Sequence, residues 1–289
     1  MGTQPEPRRV YWSERQGRRP ANAILSPEQA RRLFASALEQ AWQRDDFQEY
    51  FGYECVDAGF VPGTLGVAVA ERLLLDLGHD NVWPAWEHTE SWDDDVFFDM
   101  IEYLYDHVSS GVKETGQHHD YCGCGWHFSH FTQEPAQSIY RADVNRIISK
   151  VTPGYELSPD GRVVRSVPDD LAPLLESAPK LLDDDQRQHV AAAVTKYRGR
   201  ASTPTDRRDA VRDLADVLEN MRSSVKAHMP SKDEAALFEI ANKFWIRHSK
   251  PDERRDYDHE AWWSWLFYVY LSSIALVSHL AARDDVTPE

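Results

Sequence analysis

Apolar positions recur every three to four residues along most of this chain, and capping signals mark where each helical run begins. Ser26-Pro27-Glu28-Gln29 is a capping box with proline at the first helical position, where a missing N–H costs nothing. Leu33, Phe34, Ala37, Leu38, Ala41 and Trp42 then predict a helix with one buried face. Ser91-Trp92-Asp93-Asp94 opens a second helix that carries Phe97, Met100, Ile101, Leu104 and Val108 inward. Its acidic first turn suits the positive end of a helix, which gives the Asp93-Asp94-Asp95 run a structural role ahead of a metal-binding one. Further on, two short apolar runs flank Pro159-Asp160-Gly161 between Tyr155 and Val164, the chemistry of a β-hairpin turn.

From residue 184 onward the pattern is almost continuously helical. One helix is expected over about 184–198. Thr203-Pro204-Thr205-Asp206 opens the next, with Val211, Leu214, Val217, Leu218, Met221 and Val225 on one stripe. Ser231-Lys232-Asp233-Glu234 opens another, with Leu237, Phe238, Ile240, Ala241, Phe244 and Trp245 apolar. Asp258 can cap a last helix running to about His279. Amphipathic helices joined by short loops predict antiparallel neighbours. The fold class is therefore mainly α. An α+β domain with a small β-hairpin is expected over 1–167, a proline-containing acidic connector over 168–183, and an antiparallel helical bundle over 184–289.

The last helix has two readings. Residues 261–280 carry no formal charge and are long enough to span a bilayer, with Trp262, Trp263 and Trp265 placed like an interfacial belt. Its serines, His279 and the absence of a flanking basic cluster favour the buried middle of a bundle over a tail anchor.

Charge is distributed unevenly. Residues 41–131 hold three basic against eighteen acidic residues, a local −15 within a chain of net −16. Such a surface repels phosphate backbones, so nucleic acid is not expected there; water, a metal or a basic protein partner suits it. Three cysteines cannot build a disulfide framework and fit a reducing compartment. The first residues lack the apolar core of a secretory signal. The chain shows no phosphate-binding Walker loop, no nucleophile elbow and no His-Glu-x-x-His.

Two clusters can carry chemistry. Two thiols, Cys122 and Cys124, and four imidazoles lie within His118–His130, and Cys124, His127 and His130 are spaced so that several could converge on one tetrahedral zinc ion. Cys-x-Cys is tighter than the usual ligand gap, so a glycine turn flanked by packed His, Trp and Phe is read ahead of a metal site. The second cluster holds Arg247, His248, Arg254, Arg255 and His259 around one interhelical loop. An imidazole can move a proton and a guanidinium can stabilise charge on phosphate, and Arg254 and His259 stand as Arg-x4-His. The plainer reading places Arg247 and His248 in a last helical turn, where cations complement the dipole, and pairs Arg254 and Arg255 with Asp252, Glu253, Asp256 and Asp258.

Tyr11 to Gly17 (YWSERQG), Phe51 to Gly63 (FGYECVDAGFVPG), Cys124-Gly125-Trp126-His127 and the Tyr155–Gly161 hairpin resemble the N-terminal domains of AbiJ-type abortive-infection proteins, over most of 10–165. Residues 200–282, with Asn242 through His248 ahead of the Trp-rich helix, are similar to the HEPN-like bundles that accompany such domains. The resemblance implies a cytoplasmic phage-defence protein whose C-terminal bundle is a metal-independent endoribonuclease and a homodimer. HEPN ribonucleases use Arg-x4–6-His, the histidine assisting attack of the RNA 2′-hydroxyl on its own phosphate. Carried onto this chain, Arg254 and His259 match that spacing, and Arg247 with His248 is the other candidate pair. No cofactor and no membrane partner are implied. The alternative is a non-catalytic regulatory or interaction module of a defence system, its acidic N-terminal region binding a basic protein.

Overall fold

A computed structural model describes residues 10–18, 24–118, 124–167, 171–177, 182–243 and 258–286. The chain is mostly helical, with small two-stranded sheets, and divides into two compact units, Met1–Val164 and Arg165–Glu289.

The first unit runs α1 (Trp12–Arg15), α2 (Pro27–Gln43), α3 (Gln48–Phe51), β1 (Tyr53–Cys55), β2 (Gly59–Val61), α4 (Val69–Leu77), α5 (Ala85–His88) and α6 (Asp94–Asp106). It continues through β3 (Ser110–Gly111), β4 (Gln117–His118), β5 (Trp126–His127), β6 (Phe131–Thr132), α7 (Gln133–Ile148), β7 (Tyr155–Leu157) and β8 (Val163–Arg165), whose last residue opens the second unit. The strands pair β1 with β2, β3 with β6, β4 with β5 and β7 with β8. Ser26 closes the expected capping box on α2 by accepting from the Gln29 N–H. Its buried stripe is Ala30, Phe34, Leu38 and Ala41. Leu33, expected inside, is 43% exposed because the stripe follows the i, i+4 spacing from Ala30.

Helix α6 starts two residues later than Ser91 suggests. Asp93 is its N-cap, accepting from the Val96 N–H, while Ser91 ends a short 3-10 turn. Asp94 pairs with Arg31 of α2 at 2.5 Å. The acidic run therefore works as cap and ion pair, as its place at a helix N-terminus predicts. Phe97, Met100, Ile101, Leu104 and Val108 are all buried, and they meet α2 and α7 in one aromatic core. Tyr140 of α7 lies in it with its hydroxyl donating to the Ile101 carbonyl. The hairpin of β7 and β8 turns at Pro159-Asp160-Gly161, with Gly161 at φ +78°.

The second unit runs α8 (Ala172–Ser177), α9 (Asp184–Arg198), α10 (Pro204–Asn220), α11 (Arg222–His228), α12 (Ser231–Lys243) and α13 (His259–Val286). Helix α8 lies within the stretch read as a connector, and Leu174, Leu175 and Leu182 of that stretch pack on the second core. Thr203 and Asp206 form the expected capping box of α10. The Val211-to-Val225 stripe is buried throughout, although a break at Met221 divides it between α10 and α11. Helix α10 packs on α9 and α13, and α11 packs on α12 and α13.

Asp258 caps α13 by accepting from the Ala261 N–H. The helix runs on to Val286, beyond His279, because Leu280 to Arg283 are good helix formers. By length and composition it could cross a membrane. Trp263, Leu266, Phe267, Tyr270, Leu271, Ile274 and Val277 are buried in the second core, while Trp265 and Leu276 are 46% and 47% exposed. Burial is thus one-sided, although the sequence is apolar all round.

Candidate functional site

Of the four residues picked as catalytic, Arg247, His248 and Arg254 lie outside the described residues, as do Phe244, Trp245 and Arg255. His259 is the first residue of α13, its ring 5.1 Å from that of Trp263 one turn on. The next residue, Glu260, is clamped by two guanidiniums, Arg165 at 3.1 Å and Arg207 at 2.5 Å. Those two hydrogen bonds, Arg165 first, hold the Glu260 carboxyl below its ordinary range. Arg207 is buried, and its Nε and that of Arg165 meet no acceptor among the described residues. Arg198 donates from Nε and a terminal nitrogen to the Arg165 carbonyl. Around these groups opens a cavity of about 740 Å³, lined by Arg165, Arg198, Arg207, Glu260, Tyr197 and Trp265 among others. Three guanidiniums against one carboxylate give it a positive interior within an acidic protein, and its aromatic wall can stack a planar ring. None of this was visible in the sequence, because Arg165, Arg198 and Arg207 belong to separate elements.

The cysteine–histidine cluster resolves differently from its sequence spacing. Cys55 at the end of β1, Cys124 before β5 and His127 within β5 bring their ligand atoms within 4.8 Å of one another. Both cysteines are thiols, and the Nε2 atom of His127 is buried. His130, expected to converge with Cys124 and His127, is exposed and hydrogen-bonds Ser129 at 3.1 Å. Cys122 lies outside the described residues.

Five features hold the cluster. Strand β1 pairs with β2 so that Cys55 faces Gly59 across the hairpin. Behind it, Gly52 (φ +84°) and Gly63 approach backbone so closely that a β-carbon on either would collide with it. The loop is tied down by Thr64 and Leu65 N–H groups donating to the Glu49 and Tyr50 carbonyls. His127 stacks on Tyr53, ring centroids 4.3 Å apart. The buried Gln48 of α3 then clamps β5: its Nε2 donates to the Trp126 carbonyl and its Oε1 accepts from the Phe128 N–H, both at 2.7 Å. A side-chain amide thus fixes the backbone on either side of His127. Gln48→Met keeps the volume and removes both bonds. It is expected to destabilise the unit by about 1–3 kcal/mol per orphaned group, read by urea denaturation, with faster hydrogen exchange at the Phe128 amide.

Cys55 and Cys124 also border a cavity of about 880 Å³, whose wall includes Trp42, Trp83, Trp86 and Asp45. Burial, and then repulsion from Asp46, push the Asp45 carboxyl up to about 6. Compared with protein-family models, curated proteins and solved structures, the chain matches none.

Proposed function

We propose that the second unit is an RNA-acting effector, a HEPN-like helical bundle with endoribonuclease activity that needs no metal, in a phage-defence protein of the cytoplasm. The first unit senses or regulates it. The observation that carries this reading is the cationic cavity at the head of α13. Arg165, Arg198 and Arg207 line it, with two buried guanidinium N–H groups directed at no protein acceptor among the described residues, and His259 precedes its Glu260 in the chain without lining it. Phosphate is a ligand that such donors suit. The resemblance of 200–282 to HEPN bundles supports the same conclusion. In this reading His259 or His248 exchanges the proton of the 2′-hydroxyl or the leaving group, and Arg254 or Arg247 stabilises the phosphate. A homodimer brings two such loops together.

The test is cleavage of a labelled single-stranded RNA in EDTA. His259→Ala is expected to slow cleavage by about 10²–10⁴-fold. Arg198→Ala, in the cavity, is expected to weaken RNA binding with the dependence on salt that phosphate contacts impose. Undiminished cleavage by Arg247→Ala, Arg254→Ala and His259→Ala alike would reject the site. Salt-sensitive RNA binding without cleavage would favour the regulatory reading, in which the acidic first unit binds a basic protein.

A further inference from the structure

We propose that Cys55, Cys124 and His127 bind one zinc ion, with water in the fourth position, that ties the β1–β2 hairpin to β5. This goes beyond the reading of the second unit and does not depend on it. Two thiols and one imidazole are a borderline-soft donor set, the type that selects zinc over magnesium or calcium. Tetrahedral zinc with bonds of about 2.3 Å to sulfur and about 2.0–2.1 Å to nitrogen needs its ligand atoms roughly 3.5–4 Å apart. The three ligand atoms here lie within 4.8 Å of one another, so a small inward movement closes the set.

The surroundings fit a ligand site better than a chance meeting of side chains. The three donors come from separate places, the end of β1, the approach to β5 and β5 itself, and their backbones are held independently. The hairpin register fixes Cys55, and the Gln48 clamp fixes the backbone flanking His127. Gly125, beside Cys124, sits at φ +83°, a left-handed turn that a side chain would strain. A redox pair would also bring two thiols together, and an imidazole can activate a thiol, so the disulfide is kept as an outcome of the test. Binding releases the two thiol protons to solvent as the ion takes their place. The strands joined are only three and two residues long, and short strands of this kind gain most from a staple.

The experiment uses the full-length protein, purified under reducing conditions without chelator. It is expected to carry about one zinc ion per chain by elemental analysis. Replacement by cobalt should give the near-ultraviolet thiolate-to-metal band and the intense visible bands of tetrahedral coordination. Cys55→Ser, Cys124→Ser and His127→Gln should each lower the metal content at least about tenfold. Because those variants can also fail to fold, wild-type protein is titrated with a mercurial reagent, and zinc release should track the modification of two thiols. Three outcomes would overturn the proposal. They are wild-type protein that takes up neither zinc nor cobalt, a Cys55–Cys124 disulfide in protein isolated under those conditions, or metal retained in Cys55→Ser and lost in Cys122→Ser.

Discussion

Phe34→Ala is expected to destabilise the first unit by about 3–5 kcal/mol. Phe34 is fully buried where α2, α6 and α7 meet. Its ring meets Phe97 edge-on at 5.3 Å, and those of Trp92 and Tyr140 lie 6.5 Å away. Truncation forfeits these contacts and opens a cavity that three rigid helices cannot collapse to fill. The two hydrophobic cores share no residue. Hydrogen exchange followed peptide by peptide should therefore show lost protection across 27–148 and little change across 204–225. Equal loss in both regions would mean that the two cores unfold as one.

Phe267→Ala should cost the second unit a similar amount, about 3–5 kcal/mol. Phe267 is fully buried on α13 and stacks on Tyr197 of α9, the ring centroids 4.0 Å apart. The informative contrast is Trp265→Ala. Trp265 is on the exposed side of the same helix, and its loss should shift stability by no more than about 0.5 kcal/mol. A helix serving the second core responds on one face only, whereas a bilayer-spanning helix has no reason to distinguish Phe267 from Trp265. Urea denaturation of the two variants, without detergent, reads the difference. A matching effect at both positions would revive the tail-anchor reading.

The helices were largely readable from the chain. Caps are local chemistry: Ser26 with Gln29, and Thr203 with Asp206, satisfy backbone N–H groups within their own first turn. The stripes on α6 and on α10 with α11 were equally plain, since helical spacing alone lines up Phe97 with Ile101 and Leu214 with Leu218. Leu33 shows the limit of that reasoning. Hydrophobicity admitted it to the stripe on α2, but the face that meets α7 is set by Ala30 and Phe34. Helix α13 makes the point more strongly. Its outer residues are nearly as apolar as its inner ones, so no pattern within it could say which side is covered.

The metal ligands separate the two kinds of information most clearly. Residue types and close spacing marked Cys124 and His127 as candidates, and they equally marked His130, which the structure leaves exposed to solvent. Cys55 could not be chosen from the sequence, since only the closure of the β1–β2 hairpin over Gly52 and Gly63 carries it to the cluster. The same holds for Arg165 and Arg207, which meet at Glu260 only once α10 and α13 have packed. Caps, turns and helical stripes depend on neighbours a few residues away, so the chain specifies them directly. A site built from distant segments depends on which faces are buried against each other, and that choice is made only when the cores close.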